Sequence, residues 1–389
     1  MTEPVTYPFS EPERLEVDPN YGVTQNGEGL TRVQLPYGTP AYIATRYEDV
    51  KSVLSDPRFS RELAVGEDEP RVMPYVHRPD ALTTMDPPRH SRLRRVVSKA
   101  FSARRIEALR PSTQQIVDTL LDRMQADGGP VDLMRSYALE VPMLVVCELL
   151  GVPYEDTPRF QRYALDMVRL DLEPERFAAA FAAMSGYLRE LIAAKRAEPT
   201  DDLLSGLLTT DLDDDELTNI GFVLFGAGLD TTANMLALGV FALLEHPEQL
   251  AALRADPGLA EGTVEELLRY LSIIPFTLRT ALEDLELGGE LIKAGQTITI
   301  SIPAADRDPA RFADPDTLDL TRPANSHVAF GHGVHQCLGQ QLARVELQVA
   351  LPALFARFPT LRLAVPPEEV PLRADMLIYG VHGLPVTWD

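Results

Sequence analysis

A chain of 389 residues with a net charge of −22 carries too little positive charge for general nucleic-acid binding. Its two cysteines, Cys147 and Cys337, exclude a disulfide framework and any four-cysteine zinc or iron–sulfur site. Hydrophobic content of 45% supplies a sizeable core, and the opening MTEPVTYPFSEPERLEVDP holds no apolar run of signal-peptide or anchor type. A cytoplasmic protein without membrane attachment is therefore expected.

No repeat or Ser/Gly-rich linker divides the chain, and its 32 prolines are scattered. One large, mainly helical domain over 1–389 is predicted, with small sheets built from short strand runs such as TPAYIAT (39–45) and QTITISI (296–302). Between those runs lies MDPPRHSRLRR, which opens a basic stretch over 89–110. It carries Arg89, Arg92, Arg94, Arg95, Lys99, Arg104, Arg105 and Arg110 against Glu107 alone. A solvated basic face is the plain reading, and a docking surface for an acidic partner the sharper one.

A helix is predicted from about Asp214 to Glu245, opening on acids, closing before Pro247 and running roughly 45 Å. Its middle is apolar almost all round, which marks a helix crossing the interior. Within it, Gly226 and Gly228 each cost up to about 1 kcal/mol relative to Ala, and Asp230 is a carboxylate in apolar surroundings. Close helix packing and a bond from Thr231 back to the carbonyl of Ala227 are the plain account. Further on come Glu266-Leu-Leu-Arg269, whose ends share a helix face, Arg279 in FTLRTALED, and the segment ADRDPARFADPDTLDLTRP containing Arg322.

The run FGHGVHQCLG (330–339) precedes a second strong helical pattern. A cysteine near a helix N-terminus meets unpaired N–H groups and the positive end of the helix dipole, which favour a thiolate. Gly331, Gly333 and Gly339 let the loop fold tightly and approach a flat ligand, and Phe330 is placed to shield the sulfur. Cys337 reads as a metal-holding thiolate or a nucleophile.

The run resembles the cysteine-ligand loop of the cytochrome P-450 family, Phe-Gly-x-Gly-x-His/Arg-x-Cys-x-Gly, matched at Phe330, Gly331, Gly333, His335, Cys337 and Gly339. Ala-Gly-x-Asp-Thr-Thr at 227–232 is similar to the family's oxygen-binding signature, and Glu266, Arg269 and Arg322 resemble its Glu-x-x-Arg pair with the third member. The resemblance covers essentially the whole chain, from Thr45 to the closing GLPVTW. It implies a mainly α, single-domain fold shaped as a triangular prism, with the long helix locally opened over a haem b. It implies that Cys337 ligates the iron, that Ala227 and Gly228 border the haem, and that Thr231 hydrogen-bonds dioxygen while Asp230 relays protons. His90, Arg94, Arg279 and His335 are the implied propionate partners. Glu266, Arg269 and Arg322 fix the fold without a chemical step.

The implied reaction is haem-dependent insertion of one oxygen atom of dioxygen into a mainly apolar small molecule, by hydroxylation or epoxidation. A macrolide, another polyketide, a terpenoid or a peptide in natural-product biosynthesis is the implied substrate class. With no fused reductase domain, electrons are expected from a separate ferredoxin and ferredoxin reductase, docking on the basic stretch at the thiolate side. Segments 72–82, 165–172, 274–277 and 376–378, with Leu224 and Ala227, are the candidate substrate lining. Two other classes are a thiol hydrolase pairing Cys337 with His332 or His335, and a haem-fold protein that binds without turnover. Residues two apart make a poor nucleophile–base pair. Asp230 and Thr231 retained alongside Cys337 argue against a passive binder.

Overall fold

A computed structural model of the chain describes residues 3–9, 14–27, 29–72, 81–168, 174–323, 326–373 and 378–389. The chain divides into two compact units. One comprises Met1–Ser91, Glu245–Cys337 and Leu372–Gly380; the other comprises Arg92–Leu244, Leu338–Pro371 and Val381–Asp389.

The first unit is organised on a six-stranded sheet with the spatial order Val5–Thr6, Thr31–Gln34, Ala41–Ala44, Thr297–Ser301, Phe276–Ala281 and Phe59–Ser60. Both strand runs expected from the sequence are in it. They pair in parallel, Tyr42 opposite Ile298 and Ala44 opposite Ile300, and such parallel pairing suits a strand buried on both faces. Thr297–Ser301 is indeed buried at every position. A separate hairpin, Leu285–Leu287 with Glu290–Ile292, turns through Gly288 and Gly289, both at positive φ as a two-residue turn demands.

The same unit carries the helices Tyr47–Ser55 and Ala260–Leu271. Val50, Val53 and Leu54 of the first helix pack with Phe59, Ile298 and Ile300 of the sheet. On the second helix, Arg269 donates through Nε and Nη2 to both oxygens of Glu266, each at 2.8 Å. Arg322 reaches the same carboxylate through Nε at 3.1 Å. Arg269 also donates to the carbonyls of Asp306, Pro315 and Thr317, so one buried guanidinium ties the helix to the segment before the cysteine loop. The expected trio is thus assembled, and its role is architectural.

The second unit is helical, with a three-stranded sheet formed by Arg362–Leu363, Pro385–Thr387 and Val131–Asp132. Its long helix spans Asp214–Glu245, the bounds the sequence predicts. Asp213 Oδ1 accepts from the Glu216 amide at 2.8 Å while Glu216 Oε2 accepts from the Asp213 amide at 3.2 Å, a reciprocal cap that fixes the start. This helix alone among the described residues is long and apolar enough to cross a membrane, and 78% of that apolar window is buried within the protein. Its hydrophobic residues serve the core. The helix Gln340–Arg357 packs on Arg110–Asp127. Cys147, in Glu140–Leu150, is buried and its thiol is pushed up to about 12 by burial, which leaves it an inert core residue.

Candidate haem-thiolate site

Cys337 lies on a loop whose backbone is closed on itself. Its amide donates to the Phe330 carbonyl at 2.8 Å, and the Gly331 amide donates to the Val328 carbonyl at 2.7 Å. Gly331 and Gly333 both adopt positive φ, at 69° and 73°. At Gly333 a Cβ would sit 2.4 Å from the Leu54 carbonyl, so only glycine lets the loop lie against the helix Tyr47–Ser55. At Gly331 a Cβ would meet nothing within 4 Å, and the same holds at Gly339. These faces are open to a flat group. One detail differs from the sequence expectation: the next helix is Gln340–Arg357 with Gly339 as its cap, so Cys337 stands two residues before the cap. The loop needs those residues to leave the Gly333–His335 turn.

Four of the expected haem-contacting side chains fall in the same unit as Cys337: His90, Arg279, Phe330 and His335. The His90 and His335 rings stack with centroids 4.2 Å apart and planes inclined by 39°. His90 is 2% exposed and Arg279 is 4% exposed. Arg279 donates through Nη1 to the Leu278 carbonyl at 2.7 Å and to Thr277 Oγ1 at 3.3 Å. Its guanidinium is pushed down to about 9, first by burial and then by the charge of Arg61, against the pull of Asp86. The buried guanidinium of Arg279, with the open face at Gly331 in the same unit, fits a planar cofactor bearing carboxylates.

Arg94, Ala227, Gly228, Asp230, Thr231 and Gly339 belong to the second unit. Asp230 is 4% exposed, and its Oδ1 accepts from Asn234 Nδ2 at 2.9 Å. The same amide nitrogen donates to the Asp230 carbonyl at 2.7 Å, while Asn234 Oδ1 accepts from the Val381 amide at 3.3 Å. Asn234 therefore fixes the carboxyl of Asp230. Sequence reasoning missed it, although the i, i+4 spacing of Asp and Asn on one helix was the available signal. Thr231 Oγ1 donates to the Ala227 carbonyl at 2.6 Å. The local opening expected over 227–232 is absent, and the helix is continuous through Gly226 and Gly228. Phe225, Leu229 and Ala233 are fully buried around it, and their packing offsets the propensity cost of two glycines.

The basic stretch is less free than its sequence suggests. Arg92 pairs with Asp211 and Glu216, Arg105 with Asp201, and Arg110 with Glu107. Arg95, Lys99 and Arg104 are exposed. Of the candidate substrate lining, positions 73–80, 169–172 and 376–377 lie outside the described residues.

A glycine-shaped cysteine loop, with His90 and Arg279 buried in its own unit, is an arrangement that suits a haem-thiolate protein. The comparisons agree: the family model described as Cytochrome P450 matches residues 175–257 and 258–378. Nocardicin C N-oxygenase of Nocardia uniformis subsp. tsuyamanensis is 46% identical, covering 100% of this chain and 99% of that protein. Mycinamicin IV hydroxylase/epoxidase of Micromonospora griseorubida is 42% identical, covering 99% of each chain. The crystal structure of CYP105P1 in complex with filipin I is similar with a TM-score of 0.92 and 42% identity, covering 100% of this chain and 99% of that one. The chain belongs to the cytochrome P450 family, and it is a P450 monooxygenase whose cofactor is a haem-thiolate iron.

Proposed function

We propose that the protein oxidises a mainly apolar natural product, such as a macrolide, another polyketide, a terpenoid or a peptide, by hydroxylation or epoxidation. The relatives' named activities on nocardicin C and mycinamicin IV support that substrate class. The reading of the site rests above all on the loop that presents Cys337. When bound, haem b would supply the iron chemistry that activates dioxygen, favoured by charge from a cysteine thiolate. Cys337 would hold the metal through Sγ, and Phe330 would exclude water from that sulfur. His90, Arg94, Arg279 and His335 would hold the propionates, while Ala227, Gly228, Gly331 and Gly339 would give the ring its clearance. The two units act as one oxygenase domain in the cytoplasm. A red protein whose ferrous carbon monoxide complex shows the strongly red-shifted Soret band of thiolate ligation is expected. A spectral screen for compounds that displace water from the ferric iron then identifies the substrate.

The proton path in this reading starts from Asp230, which the Asn234 amide holds in one orientation. Thr231 binds dioxygen through its hydroxyl, for which its bond to the Ala227 carbonyl must be shared or released. Thr231→Ala should therefore lower the fraction of NADPH recovered as product severalfold and raise peroxide, with NADPH still consumed. Asn234→Ala, which removes the amide bond to the Asp230 carboxyl, should slow product formation in the same direction. Unchanged coupling in both variants returns the pair to a purely structural role.

A separate acidic ferredoxin, with its reductase, is the proposed electron donor. Arg95, Lys99 and Arg104 are the basic residues to test, since Arg92 is already engaged by Asp211 and Glu216. Reversing all three to Glu should slow ferredoxin-supported reduction about tenfold or more at low ionic strength, and the difference should shrink as salt rises. Equal rates at low salt remove this surface from the docking site.

A further inference from the structure

His327 precedes the cysteine loop, and its side chain is 3% exposed. Both ring nitrogens are engaged. Nδ1 accepts from the Ala329 amide at 3.2 Å, and Nε2 lies 3.2 Å from Glu265 Oε2. A backbone N–H can only donate, so Nδ1 carries no proton, and the single proton of the neutral ring sits on Nε2, where it is donated to the carboxylate. Glu265 thereby selects the tautomer that the Ala329 bond needs.

These two bonds tie the helix Ala260–Leu271 to the loop that presents Cys337. Glu266, next to Glu265, accepts from Arg322 and from the Asp319 amide, so successive carboxylates on one helix hold the chain at 319–322 and again at His327. Beyond Ala329 the constraint reaches Phe330. Its ring lies 6.0 Å from the His327 ring with the planes inclined by 47°, and its carbonyl accepts from the Cys337 amide at 2.8 Å. An apolar side chain would fill the buried place of His327 at less desolvation cost. What the imidazole adds is direction, and it is spent on the residues that shape and shield the sulfur. The potential of a thiolate-held iron depends on that shielding and on the hydrogen bonds around the sulfur.

We propose that Glu265 and His327 form a positioning pair for the thiolate: the carboxylate fixes the imidazole tautomer, and the imidazole fixes Ala329 and Phe330, which sets how well water is kept from Cys337 Sγ. The pair acts through the loop and takes no part in the chemical step. This inference rests on the haem-thiolate reading above.

The test compares the holoenzyme with His327→Ala, His327→Asn, His327→Gln and Glu265→Gln. Three quantities are read: the ferric/ferrous midpoint, the first-order loss of the red-shifted carbon monoxide band on warming, and the histidine ring-nitrogen NMR shifts of the diamagnetic ferrous carbon monoxide form. Asn sets its carbonyl near the place of Nδ1 and can accept from the amide two residues on, as in an Asx turn. Gln reaches Glu265 and leaves the Ala329 amide unmet. Loss of the Ala329 bond predicts band loss about tenfold faster or more in His327→Ala and His327→Gln. Their midpoints should move to more positive potential, because water at the sulfur reduces the charge it gives the iron. His327→Asn should stay near the parent in both. The parent signal absent from His327→Asn should show Nε2 protonated and Nδ1 bare, and Glu265→Gln should give mixed tautomers with an intermediate rate of band loss. Rescue by Gln rather than Asn, a parent ring protonated on Nδ1, or variants that differ from the parent in urea midpoint alone or not at all overturn the pair. A parent protein without a thiolate-type carbon monoxide spectrum overturns the haem-thiolate reading and the pair with it, whereas variant results on a thiolate-type parent bear on the pair alone.

Discussion

Cys337→Ser should yield a folded protein that has lost the thiolate-type carbon monoxide spectrum and whose monooxygenase turnover falls to background. The fold should survive because the position is fixed by backbone: the Cys337 amide bonds to the Phe330 carbonyl, and positive φ at Gly331 and Gly333 shapes the turn. Serine fits that backbone with a smaller atom. Its neutral hydroxyl, however, supplies neither the anionic ligand nor the charge toward the O–O bond. Urea unfolding should place the variant within about 1 kcal/mol of the parent, as for other small changes away from the packed core. The decisive measurement is the ferrous carbon monoxide spectrum. An unaltered Soret band in the serine variant would mean that another residue holds the iron, and Cys147, inert and buried in the other unit, would be the first to examine.

What the sequence made legible was whatever depends on local spacing. The cysteine loop could be read because glycine identity follows from backbone conformation, and the packing of Gly333 against Leu54 bears that reasoning out. The bounds of Asp214–Glu245 could be read because the acids at its start and Pro247 after its end are local stop signals. Glu266 and Arg269 could be paired because helices put i and i+3 together. What stayed hidden depends on chain segments meeting from afar. Arg92 looked like a free docking charge until Asp211 and Glu216, more than a hundred residues away, came to pair with it. Asn234 showed the right spacing, yet its second bond, to the Val381 amide, has no local signal at all. The motif at 227–232 misled in one respect: it implied an interrupted helix where the chain is continuous, since surrounding packing outweighs the two glycines.

Asp306 carries the other large expected effect. It is fully buried, accepts from the Val328 amide at 2.7 Å and from the Ser272 hydroxyl at 3.0 Å, and burial pushes its carboxyl up to about 6. Its folded-state affinity for a proton thus exceeds that of the unfolded chain, whose reference value is 3.8. Folding therefore takes up protons between those two values, and stability falls as pH rises from about 4 to about 6 and is then level. At neutral pH the ionised carboxylate costs about 3 kcal/mol relative to a group that need not ionise. Asn at this position retains an acceptor for the Val328 amide. Its nitrogen can donate to the Ser272 hydroxyl, whose one proton, shared in the parent between Asp306 and the Arg269 carbonyl at 3.1 Å, then turns wholly to that carbonyl. Every bond is kept and the buried charge is gone. Asp306→Asn should therefore raise the urea midpoint at pH 7.5, with a stabilisation of about 2–3 kcal/mol, and the gain should fade as pH is lowered toward 4. A gain of the same size at both ends of that range would show that Asp306 is not the titrating group. A loss at pH 7.5 would show that the second hydrogen bond accepted by the carboxylate outweighs the desolvation of its charge.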